Sequence, residues 1–320
     1  MTPAHDMRAA AGEMPAVARP RRRAARRPGV RLETPTAGMR LGIALSLLPG
    51  LVLFTAFFLV PLGVVVVTSL SNWSPLDFAF TGLRNYRRLL SDHVFWTALR
   101  NTAWFAAAAV FIQVPVGVAL AIILSQRFRG WRILRTIYFL PNVVSGAALA
   151  LVYLTFYNPR YGLLNQALDL VGIRTRDWLF DVDTALPAVA ATWVFTAGLV
   201  MILVMAEIAA IPAEVYDAAA VDGASRWQVT RHVTLPLLRN VVGVCCILVL
   251  LAVLAYFDGV YIMTNGGPAN HTLTLSLYAF QQYSNSNWGY ANAIGALLVV
   301  FGAIVILTVR RLFRIGERDF

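Results

Sequence analysis

The chain has 320 residues, of which 58% are hydrophobic and only 13% charged, with a mean hydropathy of +0.66. A soluble domain carries about a quarter charged residues and under half apolar ones, so this composition excludes an ordinary globular enzyme. A net charge of +11 on a soluble protein would suggest nucleic acid, whereas here it reports membrane topology. All 27 basic residues are Arg. Without Lys there is no Walker A phosphate loop and no Schiff-base chemistry. Cys245 and Cys246 are adjacent inside an apolar run and read as packing residues, not as a disulfide framework or a metal site.

In chain order, residues 1–40 form a tail. Its Arg-rich stretch Arg19–Arg27, broken by Pro20 and alanines, cannot bury a core. It is expected to be disordered and to anchor topology against anionic headgroups, in preference to binding nucleic acid. Six apolar runs follow, at Leu41–Leu70, Thr102–Leu124, Thr136–Tyr157, Leu186–Met205, Val241–Met263 and Ala291–Thr308. Each approaches the about 20 residues needed to cross hydrocarbon. The first is too long for a secretory signal and reads as an uncleaved span, kinked or bounded by Pro49 and Pro61. With six spans both termini share a side. Placing them inside puts 20 of the 27 Arg in cytoplasmic segments, the expected positive-inside asymmetry. The fold class is therefore an all-α integral membrane protein of six transmembrane helices with both termini cytoplasmic, a six-span domain over residues 41–314 and a short cytoplasmic C-terminal tail over 315–320.

The spans carry no ionisable residue well inside them. Gln113, Asn142, Ser145, Thr192 and Thr196 are their polar interior positions, suited to helix–helix hydrogen bonds or to a path for an uncharged solute. Any active transport must then draw its energy from another chain. His5, His93, His232 and His271 have no metal-ligand or triad partners at a readable spacing, and Asp181 with Asp183 reads as solvated surface. No catalytic or metal-binding constellation emerges.

The loop between spans four and five, residues 211–236, carries the most specific pattern. Pro212 suits a first helical position and Gly223 a position just past a helix end, with Glu214 in the favourable first turn. Ser225 and Gln228 match a capping box opening a second short helix that carries Trp227, and Thr234-Leu235-Pro236 suits the start of the fifth span. The reading is helix, sharp turn, helix. A helix of about ten residues is marginal alone, so its small apolar face (Val215, Ala218, Ala219), flanked by Tyr216, Asp217 and Asp222, needs a surface. A partner's groove and the lipid surface are the two choices. The absence of Arg between Pro212 and Gly223 favours the groove.

The run Tyr216-Asp217-Ala218-Ala219, Asp222-Gly223-Ala224 and Thr234-Leu235-Pro236 resembles the loop motif of permease subunits in binding-protein-dependent ABC importers. The family Glu is Asp217 here, and a usual Phe position is Thr230. Gly82-Leu83-Arg84-Asn85-Tyr86 with Asn101-Thr102, Arg135-Thr136 with Phe139-Leu140-Pro141, Tyr161-Gly162-Leu163-Leu164-Asn165 and Thr264-Asn265-Gly266-Gly267-Pro268 are similar to the carbohydrate-uptake branch, which includes importers of the maltose and glycerol-phosphate type. The resemblance implies half of a translocation path in the bacterial cell membrane, paired with a second permease subunit. It also implies two cytoplasmic ATPase subunits that use ATP and Mg, and an extracytoplasmic solute-binding protein. This chain itself would bind no cofactor, metal or nucleic acid.

On that resemblance Glu214, Tyr216, Asp217, Ala218, Ala219, Asp222, Gly223 and Pro236 belong to the ATPase-coupling loop. Asn142, Phe257, Asp258 and Tyr261 are candidates for the substrate path, an aromatic beside a carboxylate being able to stack on and hydrogen-bond a sugar. Helix packing for Phe257 and an exposed outer end for Asp258 is the other account of those residues. A facilitator or channel for a neutral polar solute, independent of any ATPase, is the alternative function. A membrane-embedded enzyme is a further one, disfavoured by the missing acid–base groups.

Overall fold

The computed structural model describes the backbone of residues 37–316 apart from Pro75, and side chains from Leu45 onward. Residues 1–36, which hold nearly all of the expected tail, and residues 317–320 fall outside the described residues. The chain divides at Thr55 into two units, each taken by itself. The first contributes α1 (Ala37–Phe54), with Pro49 inside the helix and its side chains from Leu45 exposed.

The second unit is predominantly helical. Helix α2 (Val60–Ser69) leads into a hairpin of β1 (Ser71–Ser74) and β2 (Asp77–Phe80), paired antiparallel with Ser71 opposite Phe80. Then come α3 (Arg84–Ser91), α4 (His93–Ala108), α5 (Val114–Ser125), α6 (Trp131–Phe139), α7 (Gly146–Phe156) and α8 (Leu163–Leu170). Helices α9 (Ala185–Ala191) and α10 (Gly198–Ala210) are followed by α11 (Ala213–Val221), α12 (Arg226–Val229), α13 (Leu235–Leu237) and α14 (Arg239–Leu254). The last three are α15 (Asp258–Met263), α16 (Leu275–Ser284) and α17 (Trp288–Phe313).

Four helical runs are long and apolar enough to cross a membrane: Leu45–Ser69, His93–Ser125, Ala185–Ala210 and Trp288–Phe313. Two bent pairs raise the number to six if each is one span: Trp131–Asn142 with Gly146–Phe156, bent by 105°, and Arg226–Leu237 with Arg239–Leu254, bent by 63°. Against the sequence expectation, the third run is therefore broken in its middle. The fifth span's helix ends at Leu254, nine residues short of Met263, so that Asp258 opens the separate helix α15. The bent pair α6–α7 follows the Ala185–Ala210 run along its length. Tyr138 meets Gly198, Tyr153 bonds Thr192 and Tyr157 bonds Ala188, as expected of a single broken traversal.

Three turns of wider π-helix interrupt these runs, at Thr55–Leu59, Ala109–Gln113 and Thr230–Thr234, each two residues ahead of a proline (Pro61, Pro115 and Pro236). Proline offers no N–H and its ring collides with the carbonyl four residues back. Widening the preceding turn relieves that collision without ending the helix.

The core lies around the Ala185–Ala210 run, whose most apolar window is 56% buried, whereas none of the corresponding window of Leu45–Ser69 is buried. Small residues let the helices close on it. A Cβ on Gly117 would lie 2.6 Å from Val200 Cβ, and one on Gly198 would sit inside the van der Waals radius of the Tyr138 carbonyl oxygen. Gly63 has open space around it. Gly198→Ala should therefore lower the thermal midpoint of the purified chain in detergent by several degrees, the cost being about 1–3 kcal/mol of overpacking. Gly63→Ala should leave the midpoint unchanged or slightly raised, and equal midpoints for the two variants would contradict this packing.

Candidate functional site

The middle of the Ala185–Ala210 run is loosened. Residues Thr192–Val194 form a 3₁₀ turn, and the Thr192 N–H points to the Val189 and Ala190 carbonyls, leaving that of Ala188. Three carbonyls four residues apart are then served by side chains of other helices. The Tyr157 hydroxyl donates to Ala188 O at 2.9 Å and the Tyr153 hydroxyl to Thr192 O at 3.3 Å. The Gln113 amide donates to Thr196 O at 3.4 Å and to its hydroxyl at 3.3 Å. In hydrocarbon such carbonyls have no water to turn to, so these donors are what permits the loosening.

Beside this stretch lies a cavity of about 260 Å³. Its polar lining is Gln113, Asn142, Tyr153, Thr192, Thr196 and Tyr256, its aromatic wall includes Trp193, and no charged residue lines it. Phe105, Trp193 and Tyr256 pack as a triad at ring separations of 5.1 to 6.1 Å, which fixes that wall. The break between α6 and α7 opens onto the same space through Asn142 and Gly146, with Ser145 capping α7 by accepting from the Ala148 N–H at 3.2 Å. Irregular backbone at membrane depth is tolerated where it lines such a cavity. Four of the five neutral polar positions noted in the sequence (Gln113, Asn142, Thr192 and Thr196) thus serve helix bonding and cavity lining together.

Of the four path candidates, Asn142 lines this cavity and the other three do not. Phe257 stacks on Tyr261 at 5.1 Å, and both meet Phe280 edge-on. Asp258 lies against Gly146. The lining residues Tyr153, Trp193 and Tyr256 are not distinguishable in the sequence from aromatic residues of ordinary helix packing.

The second feature is α11. None of its residues is buried, and Val221 is 88% exposed. Pro212 precedes its first residue as the N-cap, one position earlier than the sequence suggested, and Glu214 lies in the first turn. At the other end Asp222 is the C-cap and Gly223 has φ +70°. The Gly223 N–H donates to Ala220 O and the Ala224 N–H to Ala219 O, a Schellman closure that a left-handed residue makes possible. Ser225 and Gln228 then form the expected capping box. Tyr216, Asp217, Ala218 and Ala219 therefore sit on a short helix stopped at both ends. Pro236 sits within the helical run Arg226–Leu237, which bends by 63° into α14 instead of starting that helix. Thr230, at the usual Phe position, bonds its hydroxyl to Arg226 O at 2.9 Å and opens the π turn.

The remaining motifs are clamps at the end of the bundle opposite α11. Asn85 donates to Ser69 O and Ser71 O, both at 2.9 Å, closing the end of α2, and Tyr86 bonds Ser69 Oγ. Asn101 donates to the Asn270 and Leu273 carbonyls, while Thr102 accepts from the Leu275 N–H. Asn165 bonds Arg176 O and accepts from Trp178. A further clamp had no sequence signature, its members lying 186 and 198 residues apart: Asp92 caps α4 and accepts from the hydroxyls of Tyr278 and Tyr290.

The chain belongs to the family of binding-protein-dependent transport system inner membrane components, whose model matches residues 113–318, a range that contains both the cavity and α11. It is 34% identical over 284 residues to the probable ABC transporter permease protein YurN of Bacillus subtilis, covering 86% of this chain and 97% of that one. It is 36% identical over 291 residues to the diacetylchitobiose uptake system permease protein NgcF of Streptomyces coelicolor, covering 84% and 82%. It is also 36% identical over 239 residues to the trehalose/maltose transport system permease protein MalF of Thermococcus litoralis, covering 73% and 81%. The fold matches a chain of a bacterial ABC transporter involved in alginate import, with a TM-score of 0.75, 22% identity and coverage of 86% and 95%. It is that of a multi-pass membrane permease of the ABC importer class.

Burial raises the Asp92 carboxyl, but the hydrogen bonds from Tyr278, Tyr290 and the amides of Val94 and Phe95 outweigh it and hold the group below the ordinary carboxylate range. A carboxyl depressed on folding contributes stability that is present above its unfolded pKa and lost as pH falls through the folded value. The thermal midpoint of the wild type should therefore fall as pH drops below about 4. Asp92→Asn should show a lower midpoint at pH 7 and a shallower acid dependence. Superimposable pH profiles would contradict the clamp.

Proposed function

We propose that this chain forms half of the translocation path of an ATP-driven importer of a sugar or oligosaccharide in the bacterial cell membrane. In this reading the termini and α11 face the cytoplasm, as the distribution of Arg suggests. α11 is the coupling element of the loop 211–236, seated in a groove of one of two ATPase subunits. A second permease subunit completes the path and an extracytoplasmic solute-binding protein delivers the substrate. ATP and Mg are used by the ATPase, and this chain catalyses no reaction.

The observation that carries the reading is α11 itself: a nine-residue helix with no buried residue, started by Pro212 and closed at its C-terminal end by Gly223. Such a helix gains little from its own length, and an Ala-rich face lets a partner backbone approach closely. Asp217 on that helix would meet a basic or amide group of the partner. The run Arg226–Leu237 joins the loop to α14, whose Leu248, Val249, Ala252 and Val253 line the cavity. Closure of the ATPase dimer is then transmitted to the path as a rigid-body movement.

The neutral cavity supports an uncharged, hydroxyl-rich solute. Amides and hydroxyls bond its polar groups while Trp193, Tyr153 and Tyr256 face its apolar ones. The names of the relatives, which include trehalose, maltose and diacetylchitobiose, support the same class. Asn142 belongs to this solute surface. Asp258 lies against Gly146 at its edge, and Phe257 and Tyr261 flank Asp258 in the chain as further candidates for the path.

Gly223→Pro removes both the N–H bonded to Ala220 and the positive φ that Gly223 adopts. This variant and Asp217→Arg should each reduce solute uptake by cells at least tenfold, with membrane abundance at the wild-type level on an immunoblot. Normal uptake in both variants would overturn the coupling role. Gln113→Leu should reduce uptake severalfold while the ATPase subunit still co-purifies, which separates the path from the coupling loop. Unchanged uptake in that variant would remove the cavity from the path.

A further inference from the structure

A second cavity, of about 440 Å³, lies between the Arg-rich α5–α6 connection and the last two turns of α10. Arg127, Trp131 and Arg135 form one wall and Ile202, Met205 and Ile208 the other. Its place is set by the ends of two spans, Ser125 closing His93–Ser125 and Ala210 closing Ala185–Ala210. It therefore opens at the depth where hydrocarbon gives way to headgroups.

The connection is shaped to bring its charges together. Arg127 has φ +51° and Gly130 φ +89°, two left-handed residues that fold the chain back into α6. Guanidiniums eight positions apart in sequence thereby reach one cavity. No carboxylate lines it, and Glu207, the acid on the neighbouring turn of α10, is not among its walls. Two cations gathered in a partly apolar recess without a counter-charge repel one another, and an anion between them reverses the sign of that interaction. Guanidinium forks match phosphate oxygens in geometry.

The rest of the wall selects the source of that phosphate. The cavity's far side is aliphatic, formed by Ile202, Met205 and Ile208 with Ala206 and Ala209. An acidic peptide would leave these side chains in water, whereas an acyl chain covers them. Trp131, with the Arg132 guanidinium 5.7 Å over its ring, is the kind of residue found at that interface.

We propose that this cavity is a binding site for the headgroup of an anionic phospholipid, with Arg127 and Arg135 on the phosphate and the face of α10 along the start of an acyl chain. The volume falls in the range of small-molecule sites, and basic pockets between span ends on the cytoplasmic side suit such headgroups. The site rests on the membrane reading of the fold and is independent of the solute carried.

The test uses the full chain with whatever subunits co-purify, titrated in detergent with dioleoyl-phosphatidylglycerol or dioleoyl-phosphatidylcholine and read by native mass spectrometry. The wild type should retain phosphatidylglycerol at least tenfold better than phosphatidylcholine. The Arg127→Gln/Arg135→Gln double variant should lose that preference. Arg129→Gln, a charge change in the same connection but outside the cavity, should keep it. Equal retention of the two lipids by the wild type overturns the proposal without recourse to any variant. Equal loss of preference in Arg129→Gln reduces the effect to general surface charge and overturns the site. Displacement of the lipid by millimolar inorganic phosphate identifies free phosphate as the ligand and overturns the lipid assignment. A double variant that keeps the lipid but sheds the ATPase subunit identifies a protein contact and also overturns it. Failure of solute uptake in the other variants leaves these readouts untouched, so the two accounts fail separately.

Discussion

A carbonyl released from the helix ladder inside hydrocarbon must find a donor within the protein, and in this chain three carbonyls in a row accept bonds from side chains of other helices, that of Thr192 together with the Phe195 N–H at 3.3 Å. Ala188, Thr192 and Thr196 lie at intervals of four along the most buried run, and each is served from a different position on neighbouring helices. An unmade hydrogen bond of this kind costs about 1–3 kcal/mol, so Tyr157, Tyr153 and Gln113 hold the loosened turn as firmly as they hold one another. Gln113, Tyr153, Thr192 and Thr196 of this set also belong to the polar lining of the cavity. Loosening a helix, joining it to its neighbours and furnishing a neutral polar recess are one arrangement of atoms here.

The constraint extends to the other breaks. The Tyr256 carbonyl, freed where α14 ends, accepts from Ser276 at 2.7 Å and from Thr274 at 3.2 Å. The Leu312 carbonyl in the last turn of α17 accepts from Arg239 at 2.9 Å. Helix α11 is the contrast. It starts at Pro212 and its C-terminal end is closed by backbone bonds from Gly223 and Ala224 made within the loop, and its faces contribute nothing to the core. A rigid element that the rest of the chain does not need for its own packing is suited to taking a load from outside and passing it inward through the bend into α14.

Much of this was legible in the sequence because it is local. Spans follow from apolar length, and the loop 211–236 follows from Pro212, Gly223 and the Ser225–Gln228 spacing, all of which act within a few residues. The bend in the third run was not legible, since Val143 and Val144 continue an apolar stretch and the role of Ser145 as the cap that restarts the helix shows only in the folded chain. Phe257 and Tyr261 have the composition of a sugar platform, yet they face each other and Phe280, a fact that depends on a helix from another part of the chain. Asp92 with Tyr278 and Tyr290 is non-local in the same way. The motifs around Asn85, Asn101 and Asn165 resemble the carbohydrate-uptake branch, and each asparagine turns out to close backbone groups.

The central claim is that α11 sits in an ATPase subunit, and site-directed cross-linking tests it most directly. Cys245 and Cys246 are buried, so a cysteine introduced at Ala218 is the reactive one among the described residues. In membranes carrying the assembled transporter, a short maleimide–benzophenone reagent, attached to the Ala218→Cys thiol and photolysed to insert into neighbouring C–H bonds, should join this chain to the ATPase subunit, with a yield that changes on adding ATP. The same reagent should give no such product from Leu76→Cys, a fully exposed position at the opposite end of the bundle. An intact transporter in which Ala218→Cys is labelled freely and joins no ATPase subunit would contradict the account.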